Sequence, residues 1–179
     1  MNQVLTETQI ALAEQVISEL GIKDKIVNEI MDELANINNP ELYSVVNIIH
    51  YGQPKAQPRA RYSSRLNAMY DGAKSLKQSV VEQVVHQLPK DFKPTENMVT
   101  FNAIFYLPIP KSFGNANKVR AELGIIRPLS KPDKDNLEKL LYDALTSFLY
   151  KDDSCVVGGT GEKYYSCKPR TEITLWIKK

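Results

Sequence analysis

Residues 131–157 read KPDKDNLEKLLYDALTSFLYKDDSCVV, and they set three or four carboxylates and a lysine around one amphipathic helix. Pro132 marks the place where a helix begins, and Leu137, Leu140, Leu141, Ala144, Leu145 and Phe148 recur at helical spacing as its apolar stripe. Asp133 and Asp135 stand two apart at the start. Lys139 lies one turn beyond Asp135, about 6 Å along the same face, and Asp143 continues that row. Asp152 and Asp153 follow as the chain leaves the helix for the apolar run Cys155-Val156-Val157.

Mg²⁺ is a hard cation that takes oxygen ligands, uses one or two protein carboxylates and leaves its other positions to water and phosphate. The Asp133–Asp135 pair with a third aspartate suits it. Lys139 could then stabilise charge developing on a phosphodiester or orient the attacking water. A plainer reading of the same residues is also open: Asp133 caps the helix, Asp135 sits at the positive end of the helix dipole, and Lys139 pairs with Asp135 or Asp143. A calcium loop is excluded, because its fifth and sixth positions counted from Asp133 hold Leu137 and Glu138 instead of an oxygen ligand and a glycine. Zinc lacks ligands at suitable spacing, since Cys155 and Cys167 are isolated and His50 and His86 are far apart.

The order D-x-D-N-x-x-K, D-A-L, D-D-S-x-V-V, closed by a P-R-x-E-I strand, resembles the RusA family of Holliday junction resolvases. Upstream, Tyr51 to Arg61 (YGQPKAQPRAR) is similar to that family's basic Gly/Pro/Arg loop, and Tyr106 to Ser112 to its proline turn at a strand end. The resemblance covers roughly residues 44 to 179. It implies that Asp133, Asp135, Asp153 and Lys139 are the catalytic residues, with the three aspartates holding Mg²⁺, for which Mn²⁺ could substitute. It implies in turn a structure-selective endodeoxyribonuclease acting on four-way junctions in recombination and repair. A nuclease of the same fold cutting flaps, and a branched-DNA binding protein that does not cut, are the alternatives. A four-way junction has two-fold symmetry and needs two matched incisions, so a homodimer is expected.

Charge is unevenly shared along the 179 residues, whose net value is only +2. Residues 1–41 hold eight acidic and two basic side chains, and residues 42–179 carry the compensating excess of +8. Between residues 51 and 79, Lys55, Arg59, Arg61, Arg65, Lys74 and Lys77 face only Asp71, with Tyr51, Tyr62 and Tyr70 interleaved. Phosphate-backbone binding is the natural use of such a stretch, and a solvated basic loop without a partner is the alternative. With no run of 18 apolar residues, no signal peptide and two cysteines, no membrane contact and a reduced, cytoplasmic setting are expected.

The expected fold is α+β, a small mixed β-sheet packed with helices (residues 42–179) preceded by an acidic helical hairpin (residues 1–41). The hairpin's stripes are Ile10, Ala13, Ile17 and Leu20, ended by Gly21, then Ile26, Ile30, Leu34 and Ile37. Its acidity argues against duplex contact, which leaves a protein partner, a second subunit, or simply a cover for the core. In the larger domain the spacing predicts a strand over 44–50, the basic loop, a helix over about 71–87 and a strand over 98–107. A polar loop over 111–130, the acidic helix, and strands near 155–165 and 171–177 follow. Gly158-Gly159-Thr160-Gly161 lacks the following helix and G-K-[ST] of a phosphate loop, so it reads as a bend or as a strand passing close to DNA.

Overall fold

The computed structural model describes residues 15–19, 21–35, 40–58, 61–63, 68–70 and 72–179. The chain divides into two compact units, Met1–Tyr43 and Ser44–Lys179. In the first, residues 15–19 are helical and α1 spans Asp24–Ala35. Of the stripe residues expected there, Ile10, Ala13, Leu20 and Ile37 lie outside the described residues. Gly21 stops the first stretch at φ 57°, where Gly21 N–H bonds Ser18 O and Ile22 N–H bonds Ile17 O. That pair of bonds closes the last turn around a left-handed residue, a conformation only glycine adopts at little cost.

The second unit is a mixed five-stranded sheet with helices. Its strands are β1 (Tyr43–Tyr51), β4 (Val99–Pro108), β5 (Val156–Gly158), β6 (Gly161–Ser166) and β7 (Arg170–Lys178), in the order β1-β7-β4-β5, with β6 also on β4. β7 runs antiparallel to β4, from Val99 opposite Ile177 to Tyr106 opposite Arg170. β5 and β6 run parallel to β4 along its other edge. A separate hairpin pairs β2 (Arg61–Ser63) with β3 (Ala68–Tyr70). The helices are α2 (Lys74–Val85), α3 (Asn115–Glu122) and α4 (Lys134–Leu145). The α+β class is therefore what the sequence indicated.

Alternation decides which face of the sheet is covered. Val99, Phe101, Ala103, Phe105 and Leu107 of β4 are all buried and join Ile173, Leu175 and Ile177 of β7. On them pack Leu137, Leu141, Ala144 and Leu145 of α4 and Val80 and Val84 of α2. The buried stripe of α4 matches its helical spacing, except that Phe148 lies past the helix end and is exposed.

Three segments differ from expectation. The stretch read as a polar loop contains α3, whose only buried residue is Ala121, so it lacks the apolar stripe that would have revealed it. The basic loop contains the short β2–β3 hairpin. The strand expected over 155–165 is two strands, broken where Gly159 takes φ 145° and passes so close to β4 that an added Cβ would lie 1.8 Å from Phe101 O. Among the described residues no helix is long and apolar enough to cross a membrane.

Candidate active site

Asp133 takes the N-cap position of α4 with extended backbone (φ −70°, ψ 141°), yet its side chain makes no capping hydrogen bond. Asp135 is in the first turn and Lys139 one turn later; all three side chains are exposed and form no ion pair or hydrogen bond with other described residues. The plainer reading of these residues, a cap and an i,i+4 pair, is thus not how the structure uses them. Two hard-oxygen carboxylates and an ammonium are left facing solvent on one end and one face of a rigid helix.

The approach to Asp133 is held from the sheet. Lys163 of β6 donates from Nζ to Ser130 O at 2.9 Å and to Pro132 O at 3.0 Å, fixing the turn immediately before the aspartate. Its own strand is braced by Arg127, which donates to Lys163 O at 2.6 Å and lies over the Tyr164 ring, 3.5 Å from the centroid. Nothing in the sequence pattern singled out Lys163; an inward lysine on an edge strand signals itself only once the strand pairing is known.

Asp153 stands elsewhere. It opens a short 3₁₀ turn, Asp153–Cys155, after the far end of α4. Burial pushes the Tyr150 phenol far above its ordinary range, and the nearby Tyr142, Asp153 and Asp143 add to the effect. Of the acidic pair, Asp152 is the one that caps the turn, accepting from Ser154 N–H at 2.9 Å. Those bonds to Ser154 hold its carboxyl below the ordinary value. Asp133 and Asp135 thus stand at the start of α4, and Asp153 opens a turn that follows its end. The strand register agrees: Val156, just after Asp153, stands opposite Val99, whereas Gly161, which lies against the Glu138 side chain of α4, stands farther along β4 opposite Ala103. Accordingly, no three His, Cys, Asp or Glu side chains among the described residues come close enough to hold a metal ion. The Asp133–Asp135 pair by itself offers the one or two carboxylates that Mg²⁺ needs from a protein.

Asp143, the next member of the row, is half-buried and engaged. Its Oδ2 accepts from Lys77 Nζ of α2 at 3.1 Å and from Gln57 Nε2 of the basic loop at 2.7 Å. The loop thereby comes alongside α4, with Lys55 exposed on it and Lys74 exposed at the start of α2. Arg61 lies on β2, and nothing of its side chain is described; Arg59 and Arg65 fall outside the described residues. Behind the loop a cavity of about 180 Å³ is lined by His50, Pro54, Val80, Phe105, Leu140 and Thr171, among others. His50 Nε2 is buried there without a hydrogen-bond partner, and burial lowers the imidazole pKa below 6.5.

Comparison with known proteins identifies the family. The family model for the endodeoxyribonuclease RusA matches residues 51–176, which takes in the basic loop, β4, α4 and the strands after it. The uncharacterized protein YqaN of Bacillus subtilis (strain 168) is 40% identical over 133 residues, covering 70% of this chain and 91% of its own length. With both acidic motifs and the basic loop inside the matched region, the chain belongs to the RusA endodeoxyribonuclease family.

Proposed function

We propose that the protein is a Mg²⁺-dependent, structure-selective endonuclease that resolves four-way DNA junctions by paired phosphodiester hydrolysis, with Mn²⁺ able to replace Mg²⁺. One observation carries the reading: Asp133, Asp135 and Lys139 are exposed and uncommitted on α4, beside a loop rich in cations, in a chain of this family. Lys55, Arg59, Arg61, Arg65 and Lys74 grip the phosphate backbone and bring a strand to α4. Asp133 and Asp135 are the residues that would hold the ion. The bound ion supplies Lewis-acid polarisation of the scissile phosphate and a water of lowered pKa. Lys139 offers its ammonium to the charge that grows on the phosphate oxygens in the transition state.

Asp153 belongs to the proposed site only with a second copy of the chain. Among the described residues of one copy no three acidic side chains come close enough to hold an ion, so Asp153 does not join Asp133 and Asp135 within one chain. In a two-fold symmetric dimer the same surface meets itself, so Asp153 of each copy can complete the site on the other. Such a dimer carries two sites, as two matched incisions require.

A labelled synthetic junction incubated with Mg²⁺, with Ca²⁺ or with chelator tests the proposal. Symmetric paired cuts that need Mg²⁺ are expected. Binding without cutting in all three would make the protein a branched-DNA binder, and a preference for a flap over the junction would make it a flap nuclease.

A further inference from the structure

Asp143 fastens two segments that are distant in sequence to the helix of the candidate site. Lys77 lies 66 residues away and Gln57 lies 86 residues away, and both reach the same oxygen, Oδ2. Neither member of the Lys77–Asp143 pair is well exposed, with side-chain exposures of 24% and 28%. A hydrogen bond to an ionised acceptor at such a site is roughly twice as strong as a neutral one.

Gln57 is the more telling partner. Its backbone N–H also donates to Asn136 O at 2.9 Å, so this single loop residue is bonded to α4 at two points about 10 Å apart along the axis. Residues 52–58 form no strand or helix, and the start of the segment is tied by Gly52 N–H to Pro169 O at 3.1 Å. Exposed Lys55 lies between the two ties, and Arg59 and Arg61 follow Gln57 by two and four residues. The part of the loop that carries Lys55 is therefore held beside α4 by Gln57, and the Gln57 side chain is held by Asp143.

We propose that Asp143 is a positioning residue, which sets the basic loop along α4 through Gln57 so that a phosphate gripped by the loop arrives at Asp135 and Lys139. This rests on the nuclease reading. The competing role for Asp143 is a tie between α2 and α4 through Lys77, and the two roles separate by variant. Gln57→Ala removes the side-chain tie of the loop to Asp143, leaving the backbone bond to Asn136, and keeps the ion pair; Lys77→Met removes the ion pair and keeps that tie; Asp143→Ala removes both side-chain contacts.

Four readouts are compared: thermal midpoint, hydrogen exchange of the residue 57 amide in the DNA-free protein, the salt slope of junction binding, and turnover at saturating junction. Exchange at residue 57 is expected to quicken about ten-fold or more in Asp143→Ala and to stay unchanged in Lys77→Met. Turnover should fall about ten-fold or more in both Asp143→Ala and Gln57→Ala, since displacements of about an ångström are costly to a reaction. The salt slope should hold in both, because every loop cation is still present. Lys77→Met should lower the midpoint and keep turnover within about three-fold of wild type. The proposal is overturned if Gln57→Ala cuts like wild type, if Lys77→Met accounts for the whole loss of turnover, or if exchange at residue 57 ignores Asp143→Ala. A wild-type protein that does not cut overturns the nuclease reading alone, and the exchange measurement still decides whether Asp143 anchors the loop.

Discussion

Asp133 occupies a capping position without using its side chain to cap, so its carboxylate contributes little to the helix and is free for another use. Asp133→Asn is therefore expected to leave the thermal midpoint within about 2 °C of wild type while abolishing junction cleavage and preserving binding. A large fall in midpoint would return the residue to a structural role, and cleavage near the wild-type rate would remove it from the site. Asp135→Asn should behave alike. Asp152→Asn should cut nearly normally, because asparagine caps a turn as well as aspartate. Lys139→Ala should lower turnover at saturating Mg²⁺ by about 10²–10³ with little change in junction affinity, as befits a group used in the transition state. His50 supports a different prediction. Burial disfavours its charged form, so the unfolded chain binds more protons near its ordinary pKa of 6.5 and the folded state gains stability as pH rises through that window. Wild type should lose stability as pH falls below about 6.5, and His50→Leu should lose less over the same range. Parallel midpoint curves for the two proteins would show that His50 is not responsible.

At the scale of elements, the basic segment and α4 act together, and the segment can be tested without disturbing the helix. Neutralising Arg59 and Arg61 should weaken junction binding and reduce the log–log salt slope by about 0.9 for each duplex phosphate that the loop no longer neutralises. An unchanged slope in the double variant would make the segment a solvated loop. The elements that were legible in the sequence are those in which one periodicity has one burial partner. β4 alternates because its odd residues meet the helices, and α4 shows a 3.6-residue stripe because Leu137, Leu141 and Leu145 meet β4. α3 was not legible because it buries a single alanine, and the break between β5 and β6 was not because it comes from Gly159 crossing the β4 backbone, an approach that local pattern does not encode. In the candidate site, Asp133, Asp135 and Lys139 could be placed on one helix by counting. Asp143 could be counted onto the same row, but Gln57, Lys77 and Lys163 are joined to the site across 86, 66 and 31 residues, and no spacing rule spans such separations.

The molecule as a whole carries its acidic and basic portions in separate compact units. Every residue of the candidate site lies in Ser44–Lys179, and the family match begins only at residue 51. A chain lacking residues 1–43 is therefore expected to keep metal-dependent cleavage and to gain non-specific DNA affinity, since a segment of net negative charge is gone. Inactivity together with a monomer in sedimentation would assign the first unit to the dimer interface instead. The proposed dimer admits a sharper test, because in that proposal Asp153 completes the site on a different copy from its own Asp133 and Asp135. Asp135→Asn and Asp153→Asn should each be inactive alone. Unfolded together and refolded as mixed dimers, they should regain the ability to nick one strand of a junction. In a mixed dimer one site receives both substitutions while the other receives neither, so a single intact site survives and the second incision stays absent. If each site instead drew all its aspartates from one chain, both sites of every mixed dimer would be damaged and the mixture would be as inactive as its components. Recovered nicking without paired cutting is the expected result, read directly from singly and doubly labelled junction arms.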